Sequence, residues 1–204
     1  MTKIKLCGLT RPEDIRAANA LMPDYVGFVF ARGSRRCVTP ERAAELKALL
    51  IPSITAVGVF VNERPERVAE LMRGGVIDAA QLHGDEDDEY VAELKRLSGG
   101  EVIRAFRVRS AADAGYEAER SVADRILLDA GAGDGVPLDL DLVAGVEREY
   151  FLAGGLDARN VRAAIRRLSP YAVDVSSGIE SNGIKDEKKM AAFVAAVRQE
   201  NDIT

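Results

Sequence analysis

The chain of 204 residues has no tryptophan, one histidine and two cysteines, and each scarcity excludes a class of protein. A single histidine, His83, cannot supply the paired histidines of a metal-dependent epimerase, so we predict no metal site. Two cysteines in an acidic chain of this size do not form the disulfide framework of a small secreted domain. We therefore expect Cys7 and Cys37 to be free thiols.

The chain also has no excess of basic residues and no long apolar run. Its 28 Lys and Arg against 33 Asp and Glu give a net charge of -5, which opposes a nucleic-acid-binding surface. The opening MTKIKLCG is too polar for a secretory signal, and no run approaches the roughly 18 apolar residues of a membrane span. We predict a cytoplasmic protein that binds neither nucleic acid nor membrane.

Short β-branched apolar runs alternate with Ala-, Glu- and Arg-rich stretches of helical period along the whole chain. Pro12 and Pro40 each indicate a helix start, the second with Thr39 as its cap, and the weakest predicted helix covers 139–146. The runs that predict strands are KIKLC (3–7), YVGFVF (25–30), ITAVGVF (54–60), IDAAQLH (77–83), EVIRAF (101–106), RILLD (125–129), EYFLAG (149–154) and YAVDVSS (171–177).

This alternation implies parallel strands joined by right-handed crossovers. An open doubly wound sheet and a closed barrel both fit such a pattern, and eight units decide for the barrel. We predict an α/β protein with a small (β/α)8 TIM barrel as a single domain over residues 1–204. No phosphate-loop or dinucleotide motif is present. GAGDG at 131–135 has the wrong glycine spacing and is predicted to be a mobile loop.

Chemistry in such a barrel is carried at the carboxyl ends of the strands. Because side chains alternate along a strand, Lys5 shares the face of Cys7 but lies one layer deeper, too deep for a Schiff base. The other polar residues that follow the strands are Arg35, Arg36, Gln81, His83, Asp129, Asp174, Ser176 and Ser177.

A thiol and a carboxyl group at these ends suit proton transfer. A thiol with a positive neighbour can act as a general base, and a carboxylic acid opposite can protonate a leaving oxygen. We predict Cys7 and Asp129 as this pair, with the alternative that Cys7 is a small buried apolar residue.

Glycine-rich stretches follow the last two strands, AGGLDARN at 153–160 and SSGIESNGIKD at 176–186. Glycines let backbone amides approach a ligand closely, and a helix amino end adds partial positive charge. These loops predict a phosphorylated small-molecule substrate. The alternative is that Gly154, Gly155 and Gly178 only turn tight loops.

Several segments, taken together, resemble one family. They are KLCGLT (5–10), VGFVF (26–30), the SRR of GSRRCVTPE, VGVFVN (57–62), QLHGDE (81–86), ILLDA (126–130), AGGL (153–156) and VDVSSGIE followed by GIKD (173–186). In this order they resemble phosphoribosylanthranilate isomerase of tryptophan biosynthesis. The resemblance implies an Amadori rearrangement without a metal or an organic cofactor.

The resemblance also implies roles for particular residues. Asp129 would be the general acid that opens the sugar ring, and Cys7 the base that removes the proton from the second sugar carbon. Arg36 would hold the anthranilate carboxylate, a task suited to a planar bidentate donor, and Asp174 would contact the anthranilate nitrogen. The backbone amides implied to bind phosphate are those near Gly154, Gly155, Ser177 and Gly178.

The chain departs from the family pattern in two places. The family has a GxGKxFDW-like run after the sixth strand, whereas GDGVPLDL at 133–140 has Val136 for the lysine and Leu138 and Leu140 for the aromatics. We expect this change to affect loop closure, turnover and substrate breadth. Asn182 stands where a proline is common, which we interpret as a minor change.

Two other functions fit part of the pattern. A triosephosphate-isomerase-like proton shuttle would use Lys5, His83 and Asp129 but leaves Cys7 and Arg36 unexplained. A barrel that binds a sugar phosphate without converting it would fit the altered loop. Amphipathic helices around a barrel suit a monomer and an oligomer equally, and Cys37 is predicted to lie on the solvent side.

Overall fold

A computed structural model of the chain describes residues 1–108, 118–129 and 140–203 and confirms the predicted barrel. Eight parallel strands are paired in sequence order, and the last closes on the first. They are β1 Lys3–Cys7, β2 Tyr25–Val29, β3 Thr55–Phe60, β4 Ala79–Leu82, β5 Glu101–Arg107, β6 Arg125–Asp129, β7 Tyr150–Ala153 and β8 Ala172–Val175.

Helices cover the outside of the barrel. Those whose two ends lie within the described residues are α1 Pro12–Leu21, α2 Pro40–Ala48, α3 Pro65–Arg73, α4 Asp88–Ser98, α5 Val161–Leu168 and α6 Glu187–Asn201. The helix predicted over 139–146 is, within the described residues, only a 3-10 turn at Leu140–Leu142. A second such turn, Ser177–Ile179, leads into an antiparallel hairpin of β9 Glu180–Ser181 and β10 Ile184–Lys185. No helix in the described ranges is long and apolar enough to cross a membrane.

Several capping and helix-ending residues predicted from the sequence are found at the helix ends. Thr39 caps α2 by accepting a hydrogen bond from the Arg42 amide at 3.2 Å. Helix α3 ends before a glycine pair in which Gly75 has φ 71°, and α5 ends before Pro170. The predicted mobile loop GAGDG falls in residues 130–139, which lie outside the described residues.

Buried apolar side chains form two groups that follow the strand alternation. Ile4 and Leu6 join the larger core between sheet and helices, whereas Lys5 and Cys7 alternate with them toward the barrel axis. The core inside the barrel consists of Tyr25, Val57, Ala79, Ile103, Ala105, Leu127, Phe151, Ala153 and Ala172.

Aromatic rings fill the amino-terminal end of this interior. The Phe151 ring meets Tyr25 and Tyr171 edge-on, with centroids 5.2 and 5.5 Å away. The two tyrosine hydroxyls are hydrogen-bonded at 2.9 Å. The barrel interior is therefore closed on this side, and it opens only toward the carboxyl ends of the described strands.

Candidate active site

A cavity of about 920 Å³ lies at the carboxyl ends of the strands. It brings together most of the site residues predicted from the sequence, but Gly178 is not part of its lining. The predicted residues that line it are Cys7, Arg36, Asp129, Asp174, Gly154, Gly155 and Ser177.

Cys7 ends β1 and is nearly buried, with its backbone paired in register with Gly27 of β2. A Cβ on Gly27 would lie 2.6 Å from the Cys7 sulfur, so this glycine makes room for the thiol. The next residue, Gly8, has φ 80°, and a Cβ there would lie 2.5 Å from Cδ of Arg36. The two glycines therefore allow the thiol and the guanidinium group to face the same space.

Lys5 lies below Cys7 and is completely buried, as the strand alternation predicts. Its Nζ donates to Asp174 Oδ1 at 3.0 Å, and the Cys7 side chain is a close electrostatic neighbour. Burial opposes the charge on Lys5, but Asp174 and Cys7 outweigh it and raise its pKa, so Lys5 is an ammonium ion. For the Cys7 thiol, burial opposes the thiolate and so raises the pKa, and Lys5 offsets part of that increase.

Asp129 ends β6 and keeps a quarter of its side chain exposed to the cavity. Its Oδ2 lies 3.5 Å from His83 Nε2, and His83 Nδ1 lies 3.2 Å from Nε2 of Gln81. When the Gln81 amide donates, Nδ1 accepts and the ring carries its N–H on Nε2, the nitrogen that faces Asp129. Gln81 and His83 therefore stand in line behind the Asp129 side chain.

Arg36 follows β2 and forms a two-pronged ion pair with Glu180 of the β9 and β10 hairpin. Arg36 Nε donates to Glu180 Oε1 at 2.6 Å and Nη2 to Oε2 at 2.9 Å. Glu180 also accepts from Arg35 at 2.8 Å and from the buried ammonium of Lys185 at 2.7 Å. Burial favours the neutral acid, but Arg36 and Lys185 outweigh it and lower the pKa of Glu180 to about 2.

Glu180 and Lys185 are functional candidates that the sequence interpretation missed. The signal was available, because Asn182 and Gly183 form the dipeptide typical of a two-residue hairpin turn with positive φ at both positions. Such a turn places Glu180 opposite Lys185, as observed. Asn182 has φ 53°, which proline cannot adopt, so its replacement of the common proline changes the turn.

The two glycine loops that the sequence predicts to bind phosphate meet where Gly178 packs against Leu156. Gly154 and Gly155 have φ 102° and 64°. Within the described part of the chain, no protein acceptor is paired with the amides of Gly154, Gly155 or Ser177. A Cβ on Gly178 would lie 2.0 Å from the Leu156 carbonyl oxygen, so Gly178 lets the two loops touch.

A second cavity, of about 520 Å³, lies at the opposite end of the barrel. Its charged groups are mutually paired, Lys95 with Asp124 and Arg125 with Glu101, and Gly99 and Gly100 complete the lining. This arrangement leaves the carboxyl-terminal cavity as the candidate active site.

With a closed (β/α)8 barrel and a polar cavity at the carboxyl ends of its strands, the protein has the architecture of a barrel enzyme. A family model described as N-(5'phosphoribosyl)anthranilate (PRA) isomerase matches residues 4–196. The chain belongs to this family, and it is an isomerase of tryptophan biosynthesis.

Individual relatives are similar to this chain in sequence and fold over nearly its whole length. The N-(5'-phosphoribosyl)anthranilate isomerase of Acetivibrio thermocellus is 44% identical, covering 98% of this chain and 97% of its own length. The crystal structure of phosphoribosyl anthranilate isomerase from Thermotoga maritima has a TM-score of 0.89 at 35% identity, covering 98% of this chain and all of that one. A further isomerase, in complex with reduced 1-(o-carboxyphenylamino)-1-deoxyribulose 5-phosphate, has a TM-score of 0.84, also at 35% identity and with the same coverage.

Family membership sets aside the two alternative functions. The triosephosphate-isomerase-like alternative also needs Lys5 at the substrate, whereas Lys5 is fully buried and hydrogen-bonded to Asp174. The same burial agrees with the prediction that no Schiff base forms at this lysine.

Proposed function

We propose that Cys7 and Asp129 are the base and the acid of the isomerisation. The substrate would be N-(5'-phosphoribosyl)anthranilate and the product 1-(2-carboxyphenylamino)-1-deoxy-D-ribulose 5-phosphate. The observation that carries the proposal is that both side chains line one cavity from separate strands, β1 and β6. An acid and a base held on different strands can act on the two sides of one bound sugar.

The two assigned residues carry out the first two proton transfers of the reaction. Asp129 gives its proton to the furanose ring oxygen as the bond from that oxygen to the first carbon breaks, which leaves an open-chain Schiff base. The Cys7 thiolate then takes the proton from the second carbon, and the electron pair moves toward the nitrogen to form an enolamine. Tautomerisation of the enolamine gives the ketone, so the atoms balance without a cofactor.

Two ammonium groups support Cys7 as the base. Burial, the largest influence, and Asp174 raise the pKa of the Cys7 thiol above its ordinary value, and Lys5 and Lys185 offset part of that increase. Buried thiols without such neighbours are inert, whereas a positive neighbour favours the reactive thiolate. This arrangement also argues against the alternative that Cys7 is only a buried apolar residue.

The remaining predicted contacts suit the rest of the substrate. Arg36 lines the cavity with one edge of its guanidinium free of Glu180, and this edge fits the anthranilate carboxylate. Asp174 has one oxygen on Lys5 and reaches the cavity, where it would accept from the anthranilate N–H. The phosphate would bind the amides of Gly154, Gly155 and Ser177, with Gly178 shaping the loop.

Steady-state kinetics of Cys7→Ser and Asp129→Asn test the proposal. We expect each change to lower kcat by about 10²- to 10⁴-fold. The Kd of the reduced product analogue should stay within a few-fold of the wild-type value, because neither change removes a carboxylate or phosphate contact. Cys37→Ser and Asp202→Asn, at exposed positions, are matched controls that should retain kcat.

A tryptophan auxotroph lacking this isomerase gives a second readout. Wild type and both controls should restore growth, and the two active-site variants should restore little or none. Full growth with Cys7→Ser or Asp129→Asn would refute the assigned roles. Isomerisation of triose phosphates by the wild type, or tight binding of the analogue without turnover, would contradict the reaction itself.

Three broader predictions accompany the proposed reaction. We propose that residues 1–204 form one domain, because β8 closes on β1, and unfolding as one cooperative transition would test this. Cell fractionation would test the cytoplasmic location. A nucleic-acid binding assay at low salt would test the exclusion that rests on the net charge of -5.

A further inference from the structure

The buried carboxylate of Glu180 is the centre of an ion cluster that the reaction steps do not use. Its side chain is 3% exposed and accepts hydrogen bonds from Arg35, Arg36 and Lys185. Lys185 is equally buried, at 2%. One carboxylate thus holds cations from the loop after β2 and from β10, and such a cluster restricts all its members to one geometry.

We propose that Glu180 is a positioning residue that aims Arg36 at the substrate carboxylate and holds Lys185 beside the Cys7 thiol. The inference deepens the proposed function and rests on its assignment of Arg36 and Cys7. It concerns how these groups are placed, and Glu180 itself need not touch the substrate.

The geometry of the guanidinium group supports the first half. Glu180 occupies the Nε and Nη2 edge of Arg36. A guanidinium has a second two-pronged edge, formed by Nη1 and the other Nη2 hydrogen, which points along the side-chain axis. Because Arg36 lines the cavity, this edge is the one available to a ligand carboxylate. Arg36 would therefore bridge two carboxylates, one internal and one from the substrate.

The position of Lys185 supports the second half. Its Nζ donates to the Ser176 carbonyl at 2.9 Å and lies 3.3 Å from Ser176 Oγ. That hydroxyl in turn donates to the Cys7 carbonyl at 3.2 Å. Burial lowers the pKa of Lys185 and Glu180 opposes that effect, so the carboxylate helps the lysine to keep its charge. A charged Lys185 lowers the pKa of the thiol.

Other charged groups face Cys7 as well, and they define what a change at Lys185 can do. Lys5 lies below it on β1, Asp174 on β8, and Arg36 comes from the loop after β2. Lys5 and Asp174 form their own ion pair at 3.0 Å. Replacing Lys185 therefore removes one of two ammonium groups that favour the thiolate and leaves the other in place.

A double-mutant cycle tests the link to Arg36. Glu180→Gln should raise KM about ten- to hundred-fold, the effect of losing a charge-assisted hydrogen bond, with a smaller change in kcat. In an Arg36→Met background the same change should alter KM by about two-fold or less, because the residue through which it acts is absent. Equal effects in both backgrounds, or an unchanged or lower KM in Glu180→Gln, would overturn this half.

Glu200 offers a matched control for the loss of a buried glutamate. It is 2% exposed and paired with Arg162 and Arg166, but it lies on α6 and is not part of the cavity lining. Glu200→Gln should reduce stability, because it breaks a buried ion pair, and it should leave KM unchanged. A KM increase in both variants would indicate general loosening of the fold and would count against positioning.

The link to the thiol is tested without catalysis. In a Cys37→Ser background, the pH dependence of iodoacetamide alkylation reports the pKa of Cys7. Lys185→Met should raise this pKa by about one unit, and the exposed control Lys188→Met should not. An unchanged alkylation profile in folded Lys185→Met would overturn this half. Full activity of Cys7→Ser would instead refute the proposed function, so the two failures are distinguishable.

Discussion

Gly27→Ala tests where the Cys7 sulfur lies. The added Cβ would meet the sulfur at 2.6 Å, with Cα and Cβ of Cys7 at 3.1 and 3.2 Å. Overpacking of this kind costs about 1 to 3 kcal/mol. For a chain of 204 residues, 1 kcal/mol corresponds to roughly 2 to 4 °C in Tm, so we expect Tm to fall by about 2 to 12 °C.

The cause of the cost can be isolated with a second substitution. Cys7→Ala removes the atom at 2.6 Å and leaves only contacts that a shift of a few tenths of an ångström relieves. The cost of Gly27→Ala, measured by urea unfolding, should therefore fall by at least about half in the Cys7→Ala background. Gly145→Ala, with open space around the new Cβ, is the matched control and should be nearly neutral. An equal cost in both backgrounds would show that the thiol does not face Gly27.

Three further predictions concern the rest of the site. Asp174→Asn leaves the ammonium of Lys5 buried without its carboxylate, so we expect a loss of about 3 to 5 kcal/mol in urea unfolding, smaller when Lys5→Met is added. Gly178→Ala forces the two glycine loops apart at Leu156, and we expect a higher KM in steady-state assays; an unchanged KM would place the phosphate elsewhere. Because the pKa of Glu180 is lowered from 4.5 to about 2, its ion pairs stabilise the fold above the ordinary carboxyl range and are lost as pH falls toward 2. The stability difference between wild type and Glu180→Gln should thus be constant above about pH 5 and shrink below it, and a difference independent of pH would contradict the assignment.

The features predicted correctly from the sequence depend on local periodicity. Strand alternation placed Lys5 beneath Cys7, and helix punctuation identified the Thr39 cap. Helix α4 has equally readable ends, because Asp87 caps it and Gly99 ends it with φ 66°.

Other features depend on contacts between distant segments. Arg36 and Glu180 are 144 residues apart, and nothing in either neighbourhood indicates that they pair. The contact between Gly27 and the Cys7 sulfur depends on the register of β1 against β2, which strand patterns alone do not determine. The sequence therefore predicts which residues reach the cavity better than it predicts how they are held there.

The different exposure of the two thiols has a practical consequence. Cys37 is exposed, whereas Cys7 is buried at a cavity whose far side is closed by aromatic rings. A small alkylating probe has to enter by the route a ligand takes, so a bound ligand should shield Cys7 and leave Cys37 unchanged. The ratio of label on the two cysteines, read by mass spectrometry, would then report site occupancy with an internal standard in the same molecule.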